Sequence, residues 1–356
     1  MSFDQLSKAV DDGLSGNNKG IPMGFDRLNN YIGIRKGMYF LIGGLTGSGK
    51  TSFIDDCFVL NPLDWYLSKE NTSNVKLKII YRSMERSRVY KLAKWISRKI
   101  FIDQGMIVPM EKILGWRGRM TPIEHDMFKF YEDYINEALE VVTIIDGPEN
   151  PIGVAKELKE HALKRGKIEQ LDQFNKVYIP DDPTEITVVI IDHAGKLKLT
   201  QTQPTKKAAI DKMSDELSYA RDFYGYTPVV VSQFNRDISN PVRLRNGDVE
   251  PMLEDFKESG QTQDDADVVL SLFDPVRYKV KDFSGYDTNR MIDEYGNKYF
   301  RSLRILKNSY GPEDVRIGMA FMGEVGIFKE LPKRSELKDT VYDDVLNKSY
   351  FVRTYE

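Results

Sequence analysis

The sequence predicts an α/β protein with a mainly parallel sheet flanked by helices and a C-terminal β-hairpin. Three observations lead there. The first is GGLTGSGKT at residues 43–51, where Gly44, four residues, Gly49, Lys50 and Thr51 form a phosphate-binding-loop pattern without a mismatch. The second is a set of short apolar runs, at 38–44, 77–81, 186–191 and 227–233, each long enough for one buried strand. The third is the helical spacing of the segments between them, which suits strand–helix–strand crossovers.

Composition sets the limits. At 356 residues the chain can bury a large core as one or two domains. Its 51 Lys and Arg stand against 54 Asp and Glu, a net charge of -3, so any nucleic-acid surface must be local. The single cysteine, Cys57, excludes an intrachain disulfide and a cysteine-based zinc site, and reads as core filler in a reducing compartment. No basic start precedes an apolar run at the N-terminus, and no stretch approaches the roughly 20 apolar residues of a membrane span. A soluble, cytoplasmic protein is expected, either in a bacterial cell or, for a virus-encoded chain, in its host.

Taken in order, Phe3, Leu6, Val10 and Leu14 have helical spacing before the polar SGNNKG of 15–20. That stripe fits a frayed terminus, or a short helix that docks on a neighbouring subunit. Gly24, Gly33 and Gly37 then punctuate the lead into the strand 38–44. Glycines at a strand-to-helix turn let successive N–H groups wrap a polyphosphate, with Lys50 as a point charge and Thr51 as a hydroxyl for magnesium. The expected nucleotide-binding set is Gly44, Thr46, Gly47, Ser48, Gly49, Lys50 and Thr51. Residues 51–60 continue as a helix.

The strand at 77–81 is followed by Glu85, which can polarise water at a strand end or cap the next helix. Residues 86–100 carry Arg86, Arg88, Lys91, Lys94, Arg98 and Lys99 without an acid, and read as a solvated helix face. Helices are expected over 123–139 and 154–163, a short strand at 141–148, and a charged surface insertion at 164–184. The apolar run 188–191 delivers Asp192, the acid a triphosphate site uses to hold its magnesium shell. Beyond it, Lys196, Lys198, Lys206, Lys207 and Lys212 face one acid, Asp211. A helix over 208–224 leads to the strand that ends in Gln233, whose amide can donate and accept and so sense a terminal phosphate. A strand at 266–273, a hairpin-like pair at 299–312 and 315–331, and a polar tail at 332–356 complete the chain.

With these pieces in order, the chain resembles the ATPase domain of the DnaB-type hexameric replicative helicases, a RecA-like P-loop NTPase core, over about residues 20–331. The resemblance rests on GFDRLNNYIGIRKG before the loop, SMERS at 83–87, VVIIDHAGKL around Asp192, VVVSQFNRDI around Gln233, and EDFKESGQTQDDADVVLSL at 254–272. It implies a linker segment at 1–20, an ATPase domain at 21–331 and a tail at 332–356. It implies ATP and Mg2+ as cofactors, with Lys50 on the phosphates, Thr51 and Asp192 on magnesium, Glu85 activating water and Gln233 as sensor. It further implies a homo-oligomer, taken as a hexamer, acting on single-stranded DNA through Lys257, Glu258 and Gly260, with primase or other replication proteins as partners. The residue chemistry adds Lys196, Lys198, Arg243 and Arg245 as cations for the DNA channel.

Two departures from the family pattern stand out. Its terminal Lys-x-Arg-Asn-Gly-Pro becomes Lys307, Asn308, Ser309, Tyr310, Gly311 and Pro312 here, so the lysine survives and the arginine finger is Ser309. Arg304 and Arg316 are the neighbouring substitutes. The helical collar domain of bacterial members is also absent before residue 1, which suits a pared-down, virus-encoded version. Ser309 keeps two other readings open: a RecA-like ATPase of recombination or regulation, and an assembly that binds nucleotide to hold its shape.

Overall fold

Alternate residues of the central strand divide the core between two faces. Phe40 and Ile42 pack with Phe53, Phe58, Val188, Ile190 and Val229 on one side of the sheet. Tyr39 and Leu41 pack with Val189, Ile191, Val230, Met213 and Leu217 on the other. A strand covered on both faces has to be apolar throughout, which is why these segments read as unbroken runs. The computed structural model describes residues 3–14, 20–68, 71, 73–235, 238, 240–256 and 260–352.

Thirteen strands are formed: β1 (Phe40–Gly44), β2 (Lys76–Ser83), β3 (Val142–Asp146), β4 (Gly166–Gln170), β5 (Lys176–Pro180), β6 (Glu185–Asp192), β7 (Thr227–Gln233), β8 (Val268–Phe273), β9 (Asp282–Phe283), β10 (Tyr286–Asp287), β11 (Phe300–Asn308), β12 (Val315–Met322) and β13 (Ile327–Glu330). Nine make the main sheet, in the order β13-β12-β11-β8-β1-β7-β6-β2-β3. From β8 to β3 every pairing is parallel. β11, β12 and β13 join antiparallel at the β8 edge, so the expected hairpin is part of a three-stranded meander. The second hairpin turn, at Gly326 with φ +74°, falls inside the segment that reads as one strand in the sequence.

The helix after the phosphate loop runs through Lys50–Ile54, a π turn at Asp55–Leu60 and Asn61–Leu67. Helices Arg88–Gln104, Pro151–Leu163 and Lys206–Tyr219 cover the sheet. The region 123–139 is two helices, Pro122–Phe130 and Glu132–Val141, the first opened by a capping box of Thr121 and Glu124. The surface insertion is an ordered hairpin, β4 with β5, pinned at its base by the Arg165–Glu185 ion pair.

The tail also has structure. Helix Asp339–Leu346 buries Tyr342 and Val345, which with Phe351 pack on Phe101, Tyr299, Met322 and Leu331. At the other end, helix Phe3–Leu14 exposes its whole apolar stripe, with Phe3 at 80% and Leu14 at 83%. Among the described residues no helix is long and apolar enough to cross a membrane.

Candidate active site

The parallel strands bring the candidate residues to one edge. β1 ends at Gly44, in register with Gln233 of β7 and Leu272 of β8, while β6 ends at Asp192, in register with Ser83 of β2. Glu85 stands two residues past that end. Ligands of open parallel sheets collect at this carboxyl edge.

The loop itself is shaped by its glycines. Gly49 caps the helix at φ +96°, and a Cβ there would sit 2.9 Å from the Phe328 ring. A Cβ on Gly44 would meet the Ser48 hydroxyl at 2.7 Å and the Leu272 carbonyl at 2.9 Å. Lys50 Nζ donates to the carbonyls of Gly44 (2.7 Å) and Leu45 (2.9 Å). Burial pushes its ammonium down to about 8, against the attraction of Asp192 and Glu85. The Ser48 hydroxyl is buried without a partner. A polyphosphate would give Ser48 its partner and Lys50 an anion in place of two carbonyls, so the loop fits that group.

Thr51 Oγ1 donates to Asp192 Oδ1 at 3.4 Å. No cluster of three or more acidic, His or Cys side chains suited to a metal occurs among the described residues. The pair therefore fits a cation that draws most of its ligands from phosphate and water, as Mg2+ does.

The other oxygen of Asp192 is held from behind. Oδ2 accepts from the Tyr81 hydroxyl at 2.9 Å and lies 3.3 Å from Lys91 Nζ, which also donates to Tyr81 and pairs with Asp55 at 3.0 Å. Burial alone would raise the Asp192 carboxyl, but Lys91 and Tyr81 together hold it below the usual range. The solvated-face reading of 86–100 is thereby corrected. Lys91 is fully buried, Arg98 pairs with buried Asp56, and Lys94 donates to Ser52 at 2.6 Å. Their signal in the sequence is the acid pair Asp55 and Asp56 inside an otherwise apolar helix, since buried carboxylates need cations beside them.

Glu85 is half-exposed, with Oε2 3.4 Å from His193 Nε2, and the same nitrogen lies 3.5 Å from Gln233 Nε2. His193 follows Asp192 directly and has no pattern of its own in the sequence. Two further cations went unread: Arg301 Nε donates to the Ser48 carbonyl at 3.0 Å, and Arg277 donates to the Thr46 carbonyl at 2.9 Å.

Lys307 lies elsewhere. It pairs in register with Val269, near the start of β8, so it sits toward the end of the sheet away from its own loop. It donates to the carbonyls of Gln263 (2.9 Å) and Asp264 (3.0 Å). Arg304 and Arg316 are both bound to Glu250 and Asp314.

Of the expected DNA contacts, Lys196 and Lys198 are exposed just past β6. Arg245 is exposed too, whereas Arg243 is turned inward onto Asp255 and the carbonyls of Asp248 and Glu250. Gly260 opens the short helix Gly260–Asp265; Lys257 and Glu258 lie outside the described residues.

The family model for the DnaB-like helicase C-terminal domain matches residues 20–330. The chain belongs to the DnaB-like helicase family. Members are ATP-hydrolysing helicases, and this chain is a helicase-family ATPase of RecA-like fold. The solved ATPase domain of another DnaB-like helicase is similar in structure at TM-score 0.67 and 20% identity, with 93% of this chain and 99% of that one covered. A DnaB-like replicative helicase, described with its interactions with primase, is similar at TM-score 0.65 and 19% identity, with 93% of this chain and 67% of that one covered. No curated protein sequence matches significantly.

Proposed function

We propose that this DnaB-like helicase is the motor unit of a ring-shaped oligomer, taken as a hexamer, that uses ATP to move along single-stranded DNA during replication. One arrangement carries the reading: loop, Asp192, Glu85 and Gln233 share one edge of the sheet, while Lys307 lies toward the other end. A cation so placed is remote from its own ATP site and free to serve a neighbour's. The exposed stripe of helix Phe3–Leu14 gives such neighbours a second contact.

In this reading the loop and Lys50 hold the phosphates, Thr51 and Asp192 hold Mg2+, and Gln233 senses the terminal phosphate. Bound Mg2+ would neutralise phosphate charge, and Glu85 would orient and polarise the attacking water. Lys196, Lys198, Arg245, Lys257, Glu258 and Gly260 would line the DNA path, with Arg243 anchoring its segment through Asp255. Primase is a partner to be tested, because a structurally similar DnaB-like helicase is described with one.

Ser309 at the finger position favours a second reading, a weakly active ATPase of recombination or regulation. ATPase activity with and without single-stranded DNA, at increasing salt, separates the two. The motor reading expects DNA stimulation that weakens with salt and depends little on base sequence, the salt slope shrinking by about one per phosphate contact removed. Glu85→Gln should bind ATP yet turn over slowly. Hydrolysis indifferent to DNA, or normal turnover in Glu85→Gln, would contradict the reading.

A further inference from the structure

One nitrogen stands between the sensor and the acid. His193 is 7% exposed, and its Nε2 lies 3.4 Å from Glu85 Oε2 and 3.5 Å from the Gln233 side-chain amide. Its other nitrogen, Nδ1, is buried without a hydrogen-bond partner. A buried N–H left unsatisfied is rarer in folded proteins than an unused acceptor. The hydrogen of the neutral ring is therefore assigned to Nε2, where acceptors wait. The Glu85 carboxylate can only accept it, and the Gln233 amide accepts it once its oxygen is turned to the ring, a half-rotation away. A single N–H cannot serve both fully, and both separations are long for a hydrogen bond.

We infer that His193 is a positioning residue that couples Gln233 to Glu85, giving its Nε2–H to the acid when the amide turns away. The inference rests on the site assignment above. A terminal phosphate attracts the NH2 end of Gln233 and takes the amide off the ring. The freed Nε2–H then fixes the Glu85 carboxylate in one orientation, the condition for it to direct a water. Without that phosphate the N–H is shared and the carboxylate is held less firmly. No proton leaves the ring in this exchange. His193 links phosphate sensing to water orientation through a hydrogen bond that changes partner.

The test is a double-mutant cycle with one spectroscopic arm. His193→Phe should lower kcat by about tenfold or more while leaving KM for ATP within about twofold, because the ring orients a catalytic group and touches no phosphate. His193→Gln, which keeps a donor, should recover part of that loss. Gln233→Ala should cost about tenfold in the wild-type background but under about twofold in His193→Phe, since the two act in series. The spectroscopic arm needs no change at His193. Nitrogen-15 spectra of the imidazoles, assigned with His125 and His161 variants, should show His193 protonated on Nε2. That signal should shift when a non-hydrolysable ATP analogue and Mg2+ are added, and should not shift in Gln233→Ala. Additive losses in the cycle, or a ring protonated on Nδ1, would overturn the inference. Glu85→Gln is run beside these: if it turns over normally the site assignment fails, and if it is slow while the cycle is additive only the role of His193 fails.

Discussion

Lys91 and Asp192 form an ion pair at 3.3 Å with both side chains buried, directly behind the magnesium-side carboxylate oxygen. The pair splits the work of one carboxylate. Oδ2 is committed to Lys91 and Tyr81, leaving Oδ1 turned to Thr51. Removing one partner of a buried pair strands the other charge. Lys91→Met should therefore destabilise the fold by about 3–5 kcal/mol in urea unfolding. Asp55→Asn in the same chain should recover part of it, because Asp55 is the second carboxylate that Lys91 neutralises. A loss below about 1 kcal/mol would assign the pair no structural role.

His161 predicts how stability changes with acid. Its Nδ1 shares a 2.7 Å hydrogen bond with the Tyr226 hydroxyl, and burial, aided by Arg165, lowers its pKa to about 4. An unfolded histidine titrates near 6.5. Between the two values the unfolded chain binds the proton and the folded one does not. The contribution is thus complete above about pH 6.5 and is lost as pH falls toward about 4. Urea midpoints should decline over this window in the wild type. His161→Gln should flatten that part of the profile, and an unchanged decline would place its cause elsewhere.

Ser309 and Lys307 predict the intrinsic rate. Ser309 is exposed at the end of β11, so an arginine there has room. Lysine is a compact point charge without the two-pronged contact of arginine, and a trans arginine supplies about 10³–10⁵ in rate in related phosphoryl transfers. Turnover of the natural chain should accordingly be slow. Ser309→Arg should raise it by about tenfold or more. Lys307→Ala should remove most of what remains while leaving oligomer size unchanged. If Lys307→Ala is silent and Arg304→Ala or Arg316→Ala is inactive, the trans cation has moved.

The fold was legible where burial is two-sided. Val188 to Ile191 and Val229 to Val231 are continuous apolar runs because helices cover both faces of their strands. The hairpin at 166–180 escaped because it is half in water, with Phe174 85% exposed, so neither face carries a clean alternation. The loop, Asp192, Glu85 and Gln233 could be read since each follows a strand. Lys91, His193 and Arg301 could not. Each acts through a contact between segments distant in the chain or on different elements, and a charged residue on a helix reads as solvated until its buried acid is known.

The shared site is tested most directly by mixing two inactive variants. Lys50→Ala lacks a working loop but keeps its trans cation; Lys307→Ala keeps the loop but lacks the cation. In a mixed oligomer a Lys307→Ala loop can face a Lys50→Ala neighbour, and that site is complete. ATP hydrolysis should therefore return when the two are assembled together, rising with the fraction of mixed contacts. Mixed oligomers that form and stay inactive would show that Lys307 does not complete a neighbour's site.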